Sequence, residues 1–165
     1  MIVNQGAFYL LAFATIGTLL SASLFLPNED GALSQAGLAV KKKASLFALL
    51  WFLTSFFAVI FKVAQILDGS FVDALDGTTL TSYLTQTDLG KSMFVQVVLL
   101  AVVVIALPLF KRSLPLIVLT GFSLLALISP IFQSHSAANG SHTLAIGSLV
   151  THVIALSLWV GGLFG

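Results

Sequence analysis

All three histidines of the chain, His135, His142 and His152, fall within eighteen residues, in a stretch without Lys, Arg, Asp or Glu. Neutral imidazole is the commonest side-chain ligand of transition metals, and three imidazoles suit copper or zinc. One metal ion needs its nitrogen donors about 2.0–2.1 Å away. His135 and His142 are seven residues apart, which on one helix means two turns, about 10 Å. They share an ion only where the chain folds back between them, and Pro130 before them with Asn139-Gly140 between them provides for such a loop. His142 and His152 are about 15 Å apart along a regular helix. That spacing suits a series of transient sites better than one closed site. Met93 can add a thioether, a soft donor that favours Cu(I).

A purely structural reading of the same residues is also open. Ser134-His135-Ser136 and Ser141-His142-Thr143 can be polar loop and capping residues. His152 can serve as a hydrogen-bonding contact between helices. An ionisable side chain inside a membrane is costly, however, and marks a candidate functional site. Lys62 reads as a lysine snorkelling to the interface, within reach of Asp68. Asp68, Asp73, Asp76 and Asp88 form a solvated acidic face that can raise the local cation concentration. Gly161 to Gly165 has the small-xxx-small spacing of packed helices. Asn139-Gly-Ser141 matches the short glycosylation sequon. No phosphate loop, Ser-His-Asp arrangement or paired-carboxylate site is present in the sequence.

The elements that position these residues belong to a membrane protein. Of 165 residues, 58% are hydrophobic and 8% charged, against about 25% charged in a soluble domain. The net charge of +1 argues against nucleic acid as a partner. The chain has no cysteine, so disulfides, thiolate sites and Cys nucleophiles are excluded. Any metal is held by imidazole, thioether, carboxylate or backbone.

Five apolar stretches approach the roughly 20 residues needed to cross the hydrocarbon. They cover approximately 6–26, 45–67, 92–110, 114–132 and 145–165, and predict an all-α, polytopic membrane helix bundle. No Lys or Arg precedes Lys41, so the first stretch lacks the basic flank of a signal peptide. Pro115 sits in a first turn, where it is tolerated, and Pro130 is expected to break or kink the fourth span. The last apolar stretch closes without a polar anchor, which predicts a truncated fifth span and an N-terminal piece of a longer membrane protein. Around Ser70 and Asp73 the pattern resembles a capping box. Phe71, Leu75, Leu80, Tyr83 and Leu84 suggest a short amphipathic helix on the membrane surface.

Lys41, Lys42 and Lys43 fall between the first two spans, and Lys111-Arg112 between the third and fourth; the other connections carry only Lys91. Five basic residues against one place the first pair of loops in the cytoplasm. The N-terminus and the histidine loop are then outside the cytoplasmic membrane.

The run Ser134-His135-Ser136-Ala137-Ala138 with His142-x-Leu144-Ala145, followed by Ser148-Leu149-x-x-His152 and Leu158-Trp159-Val160-Gly161-Gly162-Leu163, resembles the CopD family of copper-resistance membrane proteins. It looks most like the form fused to a CtaG-like oxidase-assembly region. Gln86-Thr-Asp-Leu-Gly90-Lys91 resembles a segment of that form as well. The resemblance implies a non-enzymatic protein that handles copper at the outer face of the membrane, with His135, His142 and His152 as metal positions. In the fused form the role extends to copper import or to supplying a haem-copper terminal oxidase or respiratory supercomplex. Copper would not be required for folding. Two rival functions are a haem-binding redox membrane protein using histidine as axial ligand, and a structural or assembly subunit of a respiratory complex that binds no metal.

Overall fold

The computed structural model describes residues 2–68, 72–134, 147–148, 151–152, 154–157 and 159. It is an all-α bundle. Helix α1 (Ile2–Leu20) runs into a π-helical turn, Ser21–Phe25. A tight hairpin follows, pairing Asn28–Glu29 (β1) with Ala32–Leu33 (β2). Helix α2 spans Gln35–Leu67, α3 Gly77–Gln86, α4 Asp88–Ala106 and α5 Ser113–Ser134. Among the described residues, four helical stretches are long and apolar enough to cross a membrane: Gly6–Phe25, Gln35–Leu67, Asp88–Leu109 and Ser113–Pro130. Residues 145–165, the expected fifth span, lie largely outside the described residues.

The interior falls into three tiers that fix the up-and-down order of the helices. One end holds Leu19, Ala22, Val40, Ala44, Val103, Leu107 and Leu116. The middle holds Ala12, Ile16, Trp51, Leu100 and Ala126. The other end holds Ile60, Val63, Ala74 and Tyr83, with Met93 packed against them. Small residues such as Ala12, Ala44, Ala48 and Ala126 let the backbones approach, as membrane helices require. Buried hydroxyls satisfy themselves on their own helix: Thr18 Oγ1 donates to Ala14 O at 2.5 Å and Ser123 Oγ to Leu119 O at 2.9 Å.

Three sequence expectations change. The lysine run is not a loop. Ser34 caps α2 by accepting from Gly37 N at 3.2 Å, so Lys41–Lys43 sit in its opening turns. At 1.5 Å per residue, the 33 residues of α2 reach about 50 Å, well beyond a hydrocarbon layer of about 30 Å. Helix α5 does not break at Pro130 but runs on to Ser134. A proline there forfeits one backbone donor, which a packed membrane helix tolerates. Third, Lys62 makes no ion pair with Asp68 among the described residues.

The two basic segments meet at one end of the bundle, as the charge pattern predicts. Leu33 N donates to Lys111 O at 3.0 Å and Ser113 N to Gly31 O at 3.0 Å. Lys41 Nζ donates to Pro108 O at 3.2 Å and to Phe110 O at 2.5 Å. It thereby covers carbonyls of the turn just past α4 that lack helical donors. Removing it strips two charge-assisted bonds, which outweighs the relief of a buried ammonium. Lys41→Met is therefore expected to lose about 2 kcal/mol of stability. Thermal unfolding in detergent checks this; an unchanged midpoint would contradict it.

Candidate functional site

At the opposite end, α3 packs against α2 and α4. Asp76 caps it, its carboxylate accepting from Thr79 N and Thr79 Oγ1, both at 2.9 Å. The Thr79 backbone bond, then its hydroxyl, holds the Asp76 carboxyl below its ordinary range. The cap is thus fully formed at neutral pH and lost as the pH falls through that lowered value. Leu80, Tyr83 and Leu84 of α3 face Ile60, Val63 and Met93. The surface helix expected from sequence is therefore docked on the bundle by its apolar face. Ser70 and Phe71 lie outside the described residues.

The α3–α4 junction is tight. Thr87 caps α4: its Oγ1 accepts from Gly90 N at 2.9 Å and donates to Tyr83 O at 2.8 Å. Gly90 lies so close to the Tyr83 carbonyl that a Cβ would overlap it. This contact explains the glycine of the Gln86–Lys91 motif. It also fixes Tyr83, whose hydroxyl donates to Met93 Sδ at 3.6 Å. Burial pushes the Tyr83 hydroxyl pKa up, so it stays a protonated donor. Met93 is half-buried, and among the described residues its sulfur has this weak, neutral contact.

His135 and His142 lie outside the described residues. The chain reaches them from the Met93 end of the bundle. Ser129 Oγ of α5 donates to Ser92 O, next to Met93, at 3.0 Å. Ser134 follows five residues on, about 7.5 Å along the helix. His152 is exposed on a helical stretch. With Thr151, Ala155, Leu156 and Trp159 it lines a shallow depression of about 300 Å³. Among the described residues of this stretch, Ser157 is buried. Five residues at about 100° each place it roughly 140° around the helix from His152. The imidazole face is therefore turned away from the buried one. Among the described residues, no three His, Asp or Glu side chains converge as a metal site. The ion pair of Lys91 with Asp88, at 3.9 Å, is exposed and of little energetic weight.

Sequence reasoning passed over Gln96. It is 3% exposed and its Nε2 has no partner among the described residues; the same holds for Nε1 of the fully buried Trp51. A buried unpaired donor costs about 1–3 kcal/mol. The readable signal is that Gln96 is the only polar residue between Ser92 and Lys111, and polar groups in a span usually act between helices.

A family model described as copper resistance protein D-like, N-terminal domain, matches residues 1–145. The match takes in the four described spans, Met93 and the positions of His135 and His142; His152 and Trp159 lie past its end. No curated protein and no solved structure matches the chain. By the extent of that match, the chain belongs to the copper resistance protein D-like family.

Proposed function

We propose that this domain takes up copper at the end of the bundle opposite the basic residues and passes it inward or to a partner. The observation that carries the reading is family membership over residues that include Met93, His135 and His142. The donor chemistry agrees. A soft thioether and neutral imidazoles suit copper, which here is cargo rather than a structural cofactor. The convergence of Met93 and the Ser129–Ser134 stretch on one end supports a common entry point. The positive-inside rule assigns the Lys41–Lys43 and Lys111-Arg112 end to the cytoplasm. The N-terminus and the copper-binding end then lie outside the cytoplasmic membrane. Uptake and delivery break no covalent bond, so the protein acts as a carrier and not as an enzyme. A haem-copper terminal oxidase is the recipient implied by the resemblance to the fused form.

In this reading His152 serves the second step. Ten residues separate it from His142, and its face is open to an incoming ligand or partner. Replacing His152 with Ala is expected to leave copper binding at the outer end largely intact and to reduce delivery. Delivery is read as cellular copper uptake or as copper content of the oxidase. A His152→Ala protein that binds and delivers copper like the parent would sink the two-step reading. So would a structure with His142 and His152 nitrogens on one ion.

A further inference from the structure

The basic end carries more positive charge than its architecture uses. Lys41 is spent on the Pro108 and Phe110 carbonyls. Lys42, Lys111 and Arg112 remain exposed. Among the described residues none of the three pairs with Glu29 or Asp30, the two carboxylates of the adjoining hairpin. The backbone holds these cations where they are. Ala32 bridges Arg112, Leu33 N bonds Lys111 O, and Ser113 N bonds Gly31 O. Lys41 Nζ bonds the carbonyl of Phe110, the residue just before Lys111, so the two cationic segments are held side by side. Like charges clamped together favour an anion between them. Arg112 adds a fork suited to phosphate oxygens.

Directly beside these cations lies bare apolar surface. Leu109 is 72% and Leu114 70% exposed. Leu46, also exposed, sits one helical turn from Lys42 on the same face of α2. A free phosphate would use the cations alone. A phospholipid would use the cations and the apolar surface together.

We propose that this end binds an anionic phospholipid. Lys42, Lys111 and Arg112 hold its phosphate, and its acyl chains lie on Leu46, Leu109 and Leu114. The site is independent of copper handling.

The test uses the purified chain in neutral detergent, with dioleoylphosphatidylglycerol or dioleoylphosphatidylcholine added, and retained lipid counted by native mass spectrometry. The wild type is expected to prefer the glycerol lipid about 10-fold or more. The Lys111→Gln/Arg112→Gln variant should lose roughly 30-fold in affinity for it, from two interfacial charges. The junction is made by backbone groups, so that variant should fold. The charge-conserving Lys111→Arg/Arg112→Lys variant should keep the preference, as should Lys91→Gln at the other end. Equal retention of the two lipids by the wild type would overturn the proposal. So would an undiminished preference in the Gln variant, an equal loss in Lys91→Gln, or full displacement of the lipid by millimolar inorganic phosphate.

Discussion

Replacing Gly90 with alanine should unfold the α3–α4 junction and loosen the outer end of the bundle. The new methyl group would meet the Tyr83 carbonyl and lie 2.6 Å from Thr87 Oγ1. Neither atom is a flexible side-chain end that can swing aside. The carbonyl is backbone, and it accepts from Thr87 N at 3.3 Å as well as from Thr87 Oγ1. Forced overpacking costs about 1–3 kcal/mol, and a backbone clash belongs at the upper end of that range. Alanine gains at most about 1 kcal/mol over glycine in helix propensity. The clash wins, and a net loss of about 2 kcal/mol is expected. Gly121→Ala in α5 is the control, since a Cβ there meets nothing within 4 Å. It should be neutral or stabilising. Thermal unfolding of both variants in detergent makes the comparison; a Gly90→Ala midpoint at or above that of Gly121→Ala would contradict the geometry. The functional consequence is local. With α3 displaced, Tyr83 no longer covers Met93, and the thioether is released from its hydroxyl contact.

The spans were legible because long apolar stretches have one stable form in a bilayer. Their ends were less so. Lys41–Lys43 mark where hydrophobicity stops, but α2 extends past them because Ser34 caps it and the hairpin holds its start. The hairpin itself had a readable signal. Asp30 and Gly31 both have positive φ, 51° and 77°, as a type I′ turn demands, and Asp-Gly is a preferred pair for it. The contact of Lys41 with Pro108 and Phe110 was not readable, because it joins residues 67 and 69 apart in sequence. The α3 motif was visible as residue types, yet the need for glycine at position 90 appears only beside the Tyr83 carbonyl. Of the four metal candidates, the structure locates Met93 beside Tyr83 and His152 on an open helical face. It also brings up Gln96 and Trp51, whose buried donors have no partner among the described residues.

The second large effect concerns the histidines together. A side chain that bonds the metal directly should matter at least as much as one that only orients a ligand, whose loss costs about 10–100-fold in affinity. Removing His135 or His142 alone should therefore weaken copper binding by about 10-fold or more. Removing all three leaves only Met93 and carboxylates, a set poorly matched to copper. Binding should also weaken on acidification, because protons compete with metal for imidazole.

The most direct measurement is copper stoichiometry and affinity of the purified chain, compared with His135→Ala/His142→Ala/His152→Ala in the same detergent. Copper binding in the parent and its collapse in the triple variant is the result expected. Unchanged stoichiometry and affinity in the triple variant would contradict the account.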